Sequence, residues 1–305
     1  MNHILLLFLD GIGLGADDPT SNPFAIAHTP TLWSLAGGHK WLESTPRIES
    51  ARSTFIPTDA QLGVAGNPQS GTSQAVILTG RNIPAEVGEH YGPKPNAATR
   101  AILKEGNLFK QLAAAGKRSA LLDAYPPGLH ASIARGKTLR SSIQQAAFEA
   151  DVPMLGEAEI RLGTALSVDW TGEGWREFLG YADTPVYTRY EAGRKLAELS
   201  RAVDFALFSH WVTDEVGHRG PMERAVALLE LFDQVMAGLL DAWDDDEGLI
   251  IITSDHGNME NLATRHHTAA KVPTVIIGGR RAPFEEGFQS LMDITPRVLQ
   301  ALAMP

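Results

Sequence analysis

The sequence predicts an α/β fold: a three-layer sandwich with a mainly parallel central sheet and helices on both faces. Three observations predict it. Short, continuous apolar runs recur at Ile4–Leu9, Phe205–Ser209, Leu249–Thr253 and Thr274–Ile277, as strands buried on both faces require. Helical patterns lie between several of these runs, and strands alternating with helices favour parallel pairing with crossovers. Acidic and histidine residues cluster beside the runs, where open parallel sheets bind ligands.

In chain order, Ile4–Leu9 predicts a central strand, broken by Gly11 and Gly13. Prolines at 19, 23 and 30 mark a long loop, and a short helix is expected near Thr31. Ser70 to Gly80 reads as a loop entering a helix. Asn107–Ala115 reads as a helix stopped by Gly116, and Ser119–Leu122 as a strand. Residues 124–185 carry Gly- and Pro-rich turns with one helix at Ser141–Ala150, and read as excursions that shape a substrate pocket. Tyr190–Ala202 is the next helix, followed by the strand Phe205–Ser209. Met222–Ala242 predicts a long amphipathic helix with Leu228, Phe232, Val235 and Leu239 on one stripe. Strands at Leu249–Thr253 and Thr274–Ile277 follow. Thr295-Pro296 opens a last helix, with proline in its first turn. The whole of 1–305 is expected to form one catalytic domain, with small cap excursions within 83–185.

The bulk numbers narrow the function classes. A chain of 305 residues, 44% hydrophobic and 20% charged, has the composition of a soluble globular protein. Its formal net charge of −10 disfavours nucleic acid and anionic membranes as partners. Cysteine is absent, which excludes disulfides and thiolate zinc sites. The apolar run near the N-terminus is short and ends in Asp10, unlike a signal peptide, and no stretch approaches the ~20 apolar residues of a membrane span. A cytoplasmic protein is expected, with its oligomeric state open.

Four clusters fall at one edge of the predicted sheet. Asp10 follows the first strand, Asp214 and His218 follow the strand ending at Ser209, Asp255-His256 follows Leu249–Thr253, and His266-His267 precedes Thr274–Ile277. Carboxylates and imidazoles are natural ligands for zinc or manganese. Taken singly, each has a bland explanation: a turn aspartate, a surface pair, a second turn, a solvated loop. Their shared edge favours a metal site. Ser70 opens a segment entering a helix, where backbone N–H groups and the positive dipole end suit a phosphate. Ser70 or Thr72 could equally serve as an N-cap, and the two roles are compatible. Gly11-Ile-Gly13-Leu-Gly-Ala16 matches a dinucleotide fingerprint in form, but Asp17, Asp18, Pro19 and Pro23 follow where a helix must open.

In order, Asp10-Gly-Ile-Gly, Ser70…Gly80-Arg81, Asp214-Glu-Val-Gly-His218, Ser254-Asp255-His256-Gly257-Asn258-Met-Glu260 and His267-Thr268 resemble the motifs of the alkaline phosphatase superfamily. The likeness is nearest to the core of cofactor-independent phosphoglycerate mutase and phosphopentomutase, over about 1–82 and 186–305. It implies an alkaline phosphatase-like fold, two divalent ions (manganese or zinc, or magnesium) and Ser70 as nucleophile. It implies that Asp10, Ser70, Asp255 and His256 hold one ion, and Asp214, His218 and His267 the other. His267 is preferred to His266 because His267-Thr268 and Val272-Pro273 match the mutase pattern. Sulfatases of similar core use a modified cysteine, which this chain lacks. The stretch from Ser70 to Asp214 is too short for the inserted domain of phosphoglycerate mutase, which implies a reduced cap. The expected reaction is therefore hydrolysis of a small phosphate ester by a phosphatase or phosphodiesterase. A phosphomutase and a non-catalytic metal-binding protein are the alternatives. Arg81, His90, Arg265 and His266 are candidate substrate contacts.

Overall fold

The computed structural model describes residues 3–303. It opens with β1 (His3–Leu9), α1 (Pro30–Leu35), β2 (Ile48–Glu49) and β3 (Ser53–Thr58). Helices α2 (Ser70–Thr79), α3 (Ile83–Val87), α4 (Ala97–Glu105) and α5 (Leu108–Ala114) lead to β4 (Ser119–Leu121). Four short helices follow: α6 (Pro127–Ala134), α7 (Ser142–Phe148), α8 (Glu157–Arg161) and α9 (Glu173–Glu177). The chain continues through α10 (Arg189–Ser200), β5 (Phe205–His210), α11 (Val212–Arg219), α12 (Met222–Ala242) and β6 (Gly248–Thr253). It closes with β7 (Val272–Ile277) and α13 (Ile294–Ala303).

The seven strands form one sheet in the order β2-β3-β7-β6-β1-β5-β4. β4, β5, β1 and β6 run parallel. β7 runs against β6, and β3 runs against β7 and so returns to the common direction. The sheet is thus mainly parallel, as expected.

β1 explains why both faces are covered. Its side chains alternate between faces with a period of two. Leu5, Leu7 and Leu9 enter one apolar core with residues of α1, α10 and α12. Ile4, Leu6 and Phe8 enter the other, with residues of α2, α5, α7 and α13. A strand that must be apolar on both faces reads as an unbroken run. On α12 the buried stripe is Leu229, Phe232, Val235 and Leu239; Leu228, expected in that stripe, is only partly buried.

No helix follows Gly11–Ala16, where the next regular element is a single 3-10 turn at Pro23–Ala25, so the fingerprint has no helix to complete it. Between 122 and 187 the chain leaves the sheet edge to form a small cap, except that α7 returns to pack in the core beside α2. Short bridges between Asp123 and Leu166 and between Ala124 and Leu155 tie the cap to the end of β4. Trp170, fully buried, stacks on Phe208 of β5 at 4.4 Å between ring centroids. Among the described residues, no helix is long and apolar enough to cross a membrane.

Candidate metal centre

Asp10 is the first residue past β1, and Asp255 and His256 lie just past β6. Asp214 and His218 sit four residues apart on α11, one above the other on the same helix face. His267 arrives from the opposite direction, on the loop that enters β7. That strand is antiparallel to β6, so the loop returns to the edge that Asp255 has just left. The predicted clusters therefore meet at one edge, by a route that an all-parallel sheet would not offer.

The side chains converge closely. Ligand atoms of Asp10, Asp255 and His256 lie within 4.8 Å of one another, and those of Asp214, His256 and His267 do likewise. His218 Nε2 is 3.1 Å from His267 Nε2 and 3.5 Å from Asp214 Oδ2. His256 thus stands between the two groups and is not confined to the first. Ser70 Oγ lies 2.9 Å from His256 Nε2 and is buried. Ser70 is the first residue of α2, and the N-cap is Gln69 with no side-chain cap bond, so Ser70 is not a capping residue. Thr72, the other N-cap candidate, lies within the first turn.

Surrounding bonds aim the ligands. Nδ1 of His218 lies 3.0 Å from the Arg265 carbonyl, and Nδ1 of His267 lies 3.1 Å from the Pro68 carbonyl. A carbonyl only accepts, so both Nδ1 atoms carry a proton; in the neutral tautomer that a metal ion requires, both Nε2 atoms then present lone pairs. Two lone pairs facing at 3.1 Å repel unless a proton or a metal cation lies between them. This is the arrangement a divalent ion would relieve. Asn258 donates to Asp214 Oδ1 at 2.6 Å. Gln74, one turn into α2 from Ser70, reaches Asp10 Oδ2 and Asp255 Oδ2, each at 3.4 Å. Glu260 accepts from the backbone N–H of Gly13 and Asn258 and from the Thr268 hydroxyl, joining the loop after Asp10 to the loop that carries His256.

The electrostatics point the same way. Burial, then the charges of Asp255 and Asp214, pushes the Asp10 carboxyl well above the carboxylate range, and its Oδ1 has no hydrogen-bond partner. Burial raises Asp255 and lowers His256. Burial also opposes ionisation of Asp214, but hydrogen bonds from His267 and Asn258 and the nearby imidazoles outweigh it and hold Asp214 down to about 2. A buried knot of oxygen and nitrogen donors, with repelling carboxylates and an orphaned oxygen, suits manganese, zinc or magnesium.

The four candidate substrate contacts fare differently. Arg81 does not join the site. The ten residues of α2 separate it from Ser70 by about 15 Å, and it pairs with Glu86 and Glu105 instead. His90 also turns away: Nε2 lies 3.2 Å from the Gln61 carbonyl, and it borders a separate surface hollow. Arg265 borders the cleft beside Asp214 and His218, but its guanidinium donates to the Gly217 and Gly220 carbonyls at the end of α11. His266 lies exposed at the mouth.

Sequence reasoning missed Lys94. It lines both the main cavity and the neighbouring cleft with Asp10. Burial lowers its pKa, and the charge of Asp10 opposes that shift. The structural reason for its approach is Gly71. A Cβ there would lie 2.6 Å from the Tyr91 carbonyl oxygen and 2.7 Å from that of Lys94, so this glycine lets the 91–94 loop close over the start of α2. A cavity of about 700 Å3 opens from Asp10 and Ser70 toward the cap.

This sheet order, cap position and edge cluster define a fold of the alkaline phosphatase type. Residues 184–305 match the Metalloenzyme superfamily model. Over 98 residues the chain is 38% identical to the 2,3-bisphosphoglycerate-independent phosphoglycerate mutase of Pseudomonas syringae pv. tomato, a match covering 30% of this chain and 19% of that protein. It is 31% identical over 129 residues to the enzyme of the same name from Methylobacillus flagellatus, covering 39% and 25%. The matched region thus spans about a fifth to a quarter of the length of these relatives. The fold is similar to that of PH0037 protein from Pyrococcus horikoshii, with TM-score 0.59, 17% identity, and coverage of 99% of this chain and 96% of that one. It is also similar to the alkaline phosphatase of the Antarctic bacterium TAB5, with TM-score 0.53, 12% identity, and coverage of 100% and 98%. The resemblance read from the motifs is borne out over residues 184–305 by the family model, and in fold by the solved structures.

Proposed function

We propose that this chain is a two-metal phosphoryl-transfer enzyme that hydrolyses a small phosphate ester through a phosphoserine on Ser70. The observation that carries the reading is Ser70 Oγ, 2.9 Å from His256 Nε2, where two donor groups meet. Asp10, Ser70, Asp255 and His256 would hold one divalent ion, and Asp214, His218 and His267 the other. Manganese or zinc suits these donors, and magnesium is the third candidate. The bound ions supply positive charge that lowers the pKa of a hydroxyl and neutralises phosphoryl oxygens.

The chain does the rest. Ser70 Oγ, having lost its proton to solvent, attacks phosphorus in line; the bond from phosphorus to the ester oxygen breaks, and the alkoxide takes a proton from water and leaves as the alcohol. Water then attacks the phosphoserine, the bond from phosphorus to Ser70 Oγ breaks, and inorganic phosphate leaves as the serine hydroxyl is restored. The positive end of α2 and the Lys94 ammonium stabilise charge on the phosphoryl oxygens. Gln74 holds the Asp10 and Asp255 carboxylates in register, and Glu260 fixes the loops that carry them. In this reading 1–305 acts as one catalytic unit, with 122–187 as a reduced cap, in a cytoplasmic setting consistent with the lack of cysteine.

A phosphomutase is the second reading, favoured by the relatives named as phosphoglycerate mutases. A panel of phosphate mono- and diesters, run with manganese, zinc or magnesium beside Ser70→Ala, tests both. Hydrolysis releases inorganic phosphate, whereas mutase action yields an isomeric ester. Ser70→Ala should abolish either. Activity that survives the substitution refutes the phosphoserine route, and no turnover of any ester favours a non-catalytic metal protein.

A further inference from the structure

The cavity has two unlike ends. At the phosphoryl end stand Asp10, Ser70 and Lys94. At the cap end the lining includes Tyr125, Leu129, Trp175, Phe178, Leu179 and Trp211. Phe178 is 83% exposed, Trp211 49% and Leu179 43%. Scattered apolar side chains on a convex surface mean little, but gathered around one concavity they mark a ligand surface. The cavity's volume, about 700 Å3, lies in the range that encloses an organic molecule of moderate size.

Charge narrows the ligand. Besides Lys94, the cavity is lined by one cation, Arg224, whose guanidinium pairs with Glu215 at 2.8 Å. The carboxyls of Asp123, Asp169 and Glu215 also line it. A second acidic group on the substrate would therefore meet the Asp169 carboxyl, an Arg224 already paired with Glu215, and no uncommitted cation among the described lining residues. The most buried part of the lining offers neutral hydrogen bonding instead. Asp123, 2% exposed, accepts the Ser209 N–H through both oxygens at 3.0 and 3.2 Å, and the Gln144 side chain bonds the Tyr125 hydroxyl.

We infer that the cap cavity binds an uncharged, largely apolar organic group, an aryl-bearing or branched alkyl alcohol esterified to the phosphate. This rests on the phosphoryl-transfer reading above and commits it to a substrate class. A carboxylated ester such as a phosphoglycerate is excluded from that class.

The test uses three esters with similar alkoxide leaving groups: 2-(1-naphthyl)ethyl phosphate, ethyl phosphate and 3-phosphoglycerate. In the metal-loaded full chain, kcat/KM for the naphthyl ester should exceed that for ethyl phosphate by about tenfold or more, with phosphoglycerate lowest. Phe178→Ala combined with Leu179→Ala should bring the naphthyl-to-ethyl ratio toward one. Both side chains are exposed and neither belongs to an apolar core cluster, so the fold depends little on them. Calorimetry with 2-(1-naphthyl)ethanol on the Ser70→Ala protein reads the same surface without turnover. Binding weakened by the double substitution is the expected result. Preference for phosphoglycerate, or a ratio and an affinity indifferent to Phe178 and Leu179, overturns the inference. If no ester turns over but the alcohol binds in a Phe178-dependent way, the reaction proposal fails and the cavity assignment stands.

Discussion

Asp123 shows what a single buried side chain contributes. Burial pushes its carboxyl up to about 8, against the hydrogen bond from Ser209 N–H. In the unfolded chain the same group ionises near pH ~4. Between these values the native state holds a proton that the unfolded state has lost, so the slope of stability with pH is negative. The contribution is full below pH ~4 and is lost as pH rises through about 8. Asp123→Asn should therefore flatten the dependence of Tm between pH 5 and about 8, as thermal melts across that range would read. A second prediction concerns Arg81. Arg81→Ala should leave phosphoryl turnover intact and cost no more than about 1 kcal/mol of stability, because it removes only exposed ion pairs. Lys94→Ala, in contrast, should lower kcat/KM by about a hundredfold. Residue identity was legible in the sequence where chemistry demanded it, at Asp10, Ser70 and Asp255. Direction was not. Nothing in the string tells that Arg81 lies a whole helix away from Ser70, or that Lys94 folds over the start of that helix.

At the level of elements, the tightest contact joins α10 and α12. A Cβ on Gly238 would lie 1.9 Å from the Tyr190 carbonyl oxygen, and one on Gly193 would lie 1.9 Å from that of Val235. These helices touch backbone to backbone and cannot part without opening the core behind β1. Gly238→Ala should destabilise the fold by roughly 1–3 kcal/mol despite alanine's better helix propensity, measurable by urea denaturation. The central strands were legible because burial on both faces leaves no polar residue to blur them. β3 was not. Its Pro57 argues against a strand, yet it pairs across from Pro273, and β2 covers only Phe55 and Thr54 on the other side, so no ladder partner asks for the missing N–H. Helix α11 also escaped notice. It is short and polar, and its sequence pattern serves the site more than a core.

For the molecule as a whole, the candidate centre trades stability for function. Three aspartates share one edge, and burial and mutual repulsion raise Asp10 and Asp255. In chelator, Asp10→Asn should therefore raise Tm above that of the unsubstituted chain. With manganese or zinc added, the order should reverse, because the variant loses a ligand. Calorimetric scans of both proteins under both conditions decide the matter. An unchanged order would mean that Asp10 does not bind the ion.

The reversal of β7 carries one more consequence. Because β7 runs against β6, a single excursion holds Asp255 and His256 on one side of its tip and His267 on the other. The tip, Ala263–His266, is exposed, and Arg265 there offers trypsin a cleavage point. Cutting after Arg265 would leave the first two residues on one fragment and the third on another. Ions gripping both fragments should slow that nick and, once it is made, keep the halves from separating until a chelator is added.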